Sequence, residues 1–358
     1  RALRGLPDIS RETRASVLQK AKELGYRKNL AASRLRTNRS HVLGVAITDY
    51  GNPVMSELIR GAESVAKRAG FTLMLGSTNE NKEDEKALIE SMLAQGVDGI
   101  LLLPSMLNEG LLDTIEQEGV PYVLAVRKYE GRVCNMVRSD DLGASAEVAQ
   151  YLCGLGHREF LYVSGLEYIS SSRERYEGFC RGLAQNGFSS EHVRTIACDG
   201  SRADAYRVMR QWMEEQGGTL PVTAIFAFSD YVACGIYAAL REKGIRVPED
   251  VSIVGYDNNE FSHILVPALT TVDNHFYDIG RRAMGRLLAV LLRPDGKEPK
   301  EYVNQPELVL REFPDTIETK CLYMPNQNRL VMIHCPQENR IDTEPFFSVL
   351  GLLHDRLN

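Results

Sequence analysis

Val42-Leu43-Gly44-Val45-Ala46-Ile47 is an apolar run closed by Thr48-Asp49-Tyr50-Gly51-Asn52 and followed by an amphipathic stretch, Ser56–Ala69. A strand that is apolar throughout, rather than at alternate positions, is covered on both faces, and a helix directly after it supplies one cover. The unit recurs outward from this point. Phe71–Leu75, Gly99–Leu103 and Tyr122–Val126 read as strands, with helices Lys82–Gln95 and Leu107–Glu118 between them. A second series has strands Phe160–Ser164, Val193–Ala197, Ala224–Ala227 and Ser252–Gly255, and helices Arg173–Asn186, Ala203–Glu215 and Asp230–Lys243. Such alternation builds a doubly wound parallel sheet, so the expected fold class is α/β with two doubly wound lobes in tandem. The chain is expected to cross between them near Leu155-Gly156-His157.

The length of 358 residues allows about two such units plus an appendage, and 44% hydrophobic with 25% charged residues is an ordinary globular composition. The apolar runs are far shorter than the ~20 residues of a membrane span, and no signal peptide is visible, although the chain begins at Arg1. Seven cysteines stand singly, with no Cys-x-x-Cys spacing, and fit reduced thiols in the cytoplasm. The charge is uneven: residues 1–41 carry eleven Lys/Arg against three Asp/Glu, net +8, and the remainder carries net −14. A small polyanion-binding module on an acidic body is the physical reading.

Within the basic segment, Ser10-Arg11-Glu12-Thr13 opens a helix that runs through Val17, Leu18, Ala21 and Leu24 at helical spacing and stops at Gly25. Asn29 to Thr37 forms a second, short basic helix with a capping Asn and two arginines flanking Leu35. It is too short to stand alone in water and is suited to ordering on DNA, with arginines on phosphates and Leu35 as a wedge in the minor groove. A solvated charged linker is the plainer alternative.

These residues carry a resemblance. Arg1-Ala2-Leu3-Arg4-Gly5, Ile9-Ser10-Arg11-Glu12-Thr13-Arg14, Leu24-Gly25-Tyr26 and Ala31-Ala32-Ser33-Arg34-Leu35-Arg36-Thr37 are similar to the back half of a LacI/GalR-family DNA-binding domain and its hinge helix. The similarity continues to about residue 313. It implies a partial all-α helix-turn-helix domain with hinge over 1–41, lacking the first helix and most of the recognition helix. The body over 42–313 would be of the type I periplasmic-binding-protein kind, with lobe 1 at about 42–156 and 272–299 and lobe 2 at about 157–271 and 300–313. Helix Tyr277–Leu292 would return to lobe 1, and a last strand near Leu308–Leu310 would lie in lobe 2. Residues 314–358 form an unassigned tail, whose apolar run Phe346–His354 would be a tetramer-forming helix or an extension without such a role. The DNA contacts implied are Arg1, Arg4, Asn29, Ala32, Ser33, Leu35 and Arg36.

Two facing α/β lobes leave a cleft at the carboxyl ends of their strands, where small polar ligands bind. Strand ends supply Asp49, Tyr50 and Asn52, then Asp140 and Asp141, then Ser229 and Asp230, and Tyr256-Asp257-Asn258. Arg175 matches the family arginine facing the effector and Asp257 its aspartate, a guanidinium fork and a carboxylate suited to adjacent hydroxyls. The effector contacts expected are Tyr50, Asn52, Arg175, Ser229, Asp230, Asp257 and Asn274, with His275 and Met55 nearby. The plainer role for Arg175 and Asp257 is an interlobe ion pair. Removing Arg175 is expected to leave the unliganded fold nearly unchanged. Ser229 stands where many members have Asn, and Leu142 where some have a polar residue.

No Gly-x-Gly-x-x-Gly, Walker or Gly-x-Ser-x-Gly pattern and no paired-histidine spacing is present, so neither catalysis, a cofactor nor a metal is expected. The expected function is that of a cytoplasmic transcription regulator, a repressor binding operator DNA as a homodimer or tetramer under control of a small carbohydrate effector, with no membrane partner; operator binding is expected to need the helix-turn-helix residues ahead of Arg1, and the chain as written to bind weakly or not at all. A sugar-binding solute receptor, or a decayed regulator without DNA binding, is the alternative.

Overall fold

The structure is a computed structural model that describes residues 10–24, 39–292 and 298–311, and the backbone of 317–324 and 329–336. All seven expected DNA contacts and the run Phe346–His354 lie outside these residues. The first helix, α1 (Arg11–Glu23), starts where expected: the Ser10 hydroxyl accepts from the Thr13 amide at 3.2 Å. Val17 and Leu18 on its apolar face remain exposed in the isolated chain.

Lobe 1 is a six-stranded sheet. Its elements begin with β1 (Val42–Ile47), α2 (Pro53–Arg68), β2 (Thr72–Ser77) and α3 (Lys82–Ala94). They continue through β3 (Gly99–Leu102), α4 (Gly110–Gln117), β4 (Tyr122–Ala125) and β5 (Met136–Ser139). Five of its strands run in the order β5-β4-β3-β1-β2, all parallel, and the sixth, from later in the chain, lies outside β5 at the edge. Two apolar clusters cover its faces, one around Leu43, Val45 and Leu101 and the other around Ala46, Ile100 and Leu102. This is why β1, β3 and β4 read as continuous apolar runs.

Lobe 2 comprises α5 (Asp141–Gly154), β6 (Phe160–Val163), α6 (Ser170–Gln185), β7 (Val193–Ile196), α7 (Arg202–Glu215), β8 (Ala224–Ala227), α8 (Asp230–Glu242) and β9 (Ser252–Val254). Its parallel sheet has the order β7-β6-β8-β9. The chain then runs through β10 (Thr271–Asp273), α9 (Phe276–Leu292), β11 (Glu301–Asn304) and β12 (Glu307–Val309).

Two boundaries drawn from the sequence move. The first crossing is at Ser139-Asp140-Asp141, not near Leu155-Gly156-His157. Val148, Ala149 and Leu152 of α5 share a core with Phe160, Tyr162 and Phe179 of lobe 2. The helices pack so closely that a Cβ at Gly178 would lie 2.2 Å from the Leu142 carbonyl oxygen. The segment from residue 300 also starts in lobe 1, because β11 extends that sheet in parallel with β5, and only β12 pairs antiparallel with β10. The lobes are thus joined by three crossings, at 139–141, 273–276 and 304–307. Backbone and side-chain bonds tie these together: Asp140 N donates to Asn304 O at 2.9 Å and Asn304 Nδ2 to Asn274 O at 3.0 Å.

The tail contains an element the sequence reading left unassigned. Strands β13 (Ile317–Met324) and β14 (Arg329–Pro336) pair antiparallel as a hairpin in a sheet of their own.

Candidate functional site

The carboxyl ends of both sheets face a cavity of about 210 Å³ between the lobes. The cavity is shaped by turns and helix starts, as open α/β sheets require. In lobe 1, Asn52 caps α2 by accepting from the Val54 amide at 3.3 Å, and Asp49 and Met55 lie beside it in the lining. In lobe 2, Ser229 caps α8 by accepting from the Val232 amide at 3.2 Å and also lines the cavity.

Arg175 is the centre of the lobe 2 wall. It is 3% exposed, on α6, and all three guanidinium nitrogens donate to the protein: Nε to Asp141 Oδ1 at 2.9 Å, Nη1 to Phe228 O at 2.6 Å and Nη2 to Asp257 Oδ1 at 3.3 Å. Its guanidinium carbon lies 3.7 Å from the Tyr256 ring centroid and 4.7 Å from that of Phe228. A buried cation is tolerable only with such pairing. Burial pushes the Asp257 carboxyl up to about 7, against the pull of Arg175, and pushes the Tyr256 phenol far upward. Asp257 has a φ of 101°, a left-handed backbone that places its carboxylate between Arg175 and Asn274 Nδ2, the latter at 3.2 Å.

Not every expected contact reaches the cavity. Tyr50 is exposed on the loop after β1, outside the lining. Asp230 is fully buried and turned into the lobe 2 core, where its carboxylate accepts from the Asn259 amide at 2.7 Å and from the Ser262 and Thr271 hydroxyls at 2.5 Å. Burial raises it to about 6. Asn274 lies behind Asp257, and His275 sits 3.4 Å from Asp273 outside the lining. Of the adjacent acids, Asp140 caps α5 through the Gly143 amide at 3.0 Å while Asp141 holds Arg175. Arg175 is also more than a surface ligand contact: two buried carboxylates rest on it, so its removal is expected to destabilise the unliganded protein rather than leave it nearly unchanged.

Sequence reasoning passed over Glu80, Arg127, Phe228, Tyr231 and Phe276, which line the cavity, as do Asp199 to Ser201. The strand-end rule held their signal, because Glu80 follows β2, Arg127 follows β4 and Asp199 follows β7. Cys198, Asp199 and Asp204 place potential metal ligands within 4.8 Å of one another. Asp204 and Asp199 instead accept the Asp199 and Ser201 amides, at 3.0 and 2.7 Å, in the turn that starts α7. Among the described residues no helix is long and apolar enough to cross a membrane.

Comparison with known proteins adds to this geometry. A periplasmic binding protein-like domain model matches residues 149–312. Catabolite control protein A of Priestia megaterium is 31% identical over 289 residues, covering 80% of this chain and 86% of that protein. The ribose operon repressor of Halalkalibacterium halodurans is 31% identical over 305 residues, covering 85% and 88%. Among solved structures, a LacI family transcriptional regulator from Enterococcus faecalis with bound ribose superposes with a TM-score of 0.67 at 27% identity, over 75% of this chain and 97% of that one.

Proposed function

This chain belongs to the LacI/GalR family of transcriptional regulators, and we propose from that premise that it is a repressor that binds operator DNA as a homodimer under control of a small carbohydrate in the interlobe cleft. The observation that carries the proposal is Arg175, a guanidinium fixed on three sides at the wall of a cavity to which both lobes contribute. Ligands in such a cleft bias the angle between lobes through the three crossings. The basic segment 1–41 supplies the polyanion contact, and residues 29–36, whose sequence favours a short helix, order on DNA when the lobe arrangement permits. A relative named as a ribose operon repressor and a neighbour holding ribose support both halves of the reading. Of the expected contacts, Asn52, Arg175, Ser229 and Asp257 are kept as effector contacts.

The experiment is selection of genomic DNA fragments by the full-length protein at two salt concentrations, which separates phosphate attraction from base readout. Recovery of a palindromic site that persists at the higher salt is expected. Recovery of salt-sensitive background alone would overturn the regulator reading.

A further inference from the structure

We propose that Glu80, held by Arg127, is the residue through which lobe 1 selects an uncharged polyhydroxy ligand over its phosphorylated or carboxylated counterpart; the proposal rests on the cleft being the effector site.

The backbone singles out this position. Glu80 has a φ of 53° and Val126, next to Arg127, a φ of 68°. A left-handed backbone is uncommon for Glu and an outlier for a β-branched residue, and it persists where the surroundings impose it, commonly at ligand sites. Among the described residues eight non-glycines have positive φ; Glu80, Val126 and Asp257 line the cavity, and Asn79, Asn258 and His275 each adjoin a lining residue. Arg127 is what holds Glu80: Nη2 donates to Oε1 at 2.6 Å and Nη1 to Oε2 at 2.8 Å, and Nη1 also reaches Pro104 O at 3.1 Å. One guanidinium thereby fixes three strand-end loops of lobe 1 around a carboxylate that faces the cleft.

The charges then decide the ligand class. The acidic residues Asp49, Glu80, Asp199 and Asp257 line the cavity together with Arg127 and Arg175, and both guanidiniums already have carboxylate and carbonyl acceptors within the protein. Three helix starts at the cleft have side-chain caps, from Asn52, Ser201 and Ser229. The amino end of α6 has no side-chain cap, but it offers an anion only a partial charge against the full charges of the carboxylates. An anionic ligand would therefore meet carboxylates with no uncommitted guanidinium in compensation. Hydroxyl groups meet the reverse condition, because each carboxylate oxygen accepts more than one proton. The Glu80 carboxylate can accept from adjacent ligand hydroxyls while it remains on Arg127.

The test is calorimetric and thermal-shift binding of the full chain to a panel of neutral pentoses, hexoses and disaccharides, each beside its phosphate ester or uronate. Wild type is expected to bind a neutral member at least tenfold more tightly than the anionic counterpart. Glu80→Gln should weaken the neutral sugar tenfold or more and shrink that ratio. A Glu80→Gln, Arg127→Gln double variant, which leaves no unpaired charge, should lose the same preference. An anionic member binding wild type as tightly as its neutral parent would overturn the proposal, as would both variants keeping the wild-type ratio. Binding of no member, or binding that Arg175→Lys leaves intact, would overturn the cleft reading itself and the selectivity built on it.

Discussion

Lys128, three residues beyond β4 in lobe 1, reaches Glu174 of α6 in lobe 2 at 2.6 Å, so an ion pair spans the lobes beside the helix residue that carries Arg175. The Lys128 amide also donates to Ser170 Oγ at 3.0 Å, and Arg138 lies 3.6 Å from Glu174. The hydrogen bond to Glu174 holds the Lys128 ammonium above its usual range. These contacts form in the arrangement that brings α6 against the end of β4, and they are lost if the lobes swing apart.

Lys128→Met should therefore favour a more open arrangement. The pair is partly solvated, so the stability loss is expected to be no more than about 1 kcal/mol. The radius of gyration of the ligand-free protein from small-angle scattering should rise. An unchanged value would show that the pair does not set the lobe angle.

Arg175→Ala should both abolish ligand-induced thermal stabilisation and destabilise the unliganded protein by about 3–5 kcal/mol, because Asp141 and Asp257 are left buried without their cation. Chemical denaturation measures the second effect. A loss below about 1 kcal/mol would mean that the two carboxylates find other partners or become protonated at little cost.

His157 supplies a pH dependence. It is buried, with Nδ1 2.9 Å from Thr223 Oγ1 and Nε2 3.0 Å from Ser252 Oγ, and burial depresses its pKa to about 4. The folded protein holds the ring neutral while the unfolded chain protonates it near 6.5, so this group's contribution is complete above about pH 6.5 and is lost as pH falls toward 4. The full difference is about 3 kcal/mol. Asp257, raised by burial to about 7, acts in the opposite sense, so the quantity to measure is wild type minus His157→Gln. That difference in unfolding free energy should shrink between pH 7 and pH 4.5; a constant difference would assign the depressed pKa no role in stability.

Gly280 tests the packing of α9 on α2. A Cβ there would lie 1.9 Å from the Leu58 carbonyl oxygen, so Gly280→Ala must push the helices apart and should cost about 1–3 kcal/mol by denaturation. Unaltered stability would mean that the contact relaxes freely.

The sequence made the α/β architecture legible because strands buried on both faces are apolar throughout, as in Ile100-Leu101-Leu102 and Phe160-Leu161-Tyr162-Val163. The lobe to which a helix belongs was less legible. Helix α5 follows a lobe 1 strand, yet it packs on α6 through Gly178, a tertiary contact with no local signature. Within the site, Arg175 and Asp257 were found by resemblance and Asn52 and Ser229 by their place at strand ends. Asp230 shares that place but is turned inward by three hydrogen bonds from residues 29 to 41 positions away. Glu80 and Arg127 are 47 residues apart and become one unit only when β2 and β4 are brought into the same sheet.

The most direct test of coupling between cleft and operator is the affinity of the full-length protein for its strongest-binding sugar, measured with and without saturating operator DNA. If cleft occupancy changes the ordering of the basic segment on DNA, operator must alter sugar affinity by the same factor by which sugar alters operator affinity, expected at about 5-fold to 150-fold. A sugar affinity unchanged by saturating operator would contradict the coupling.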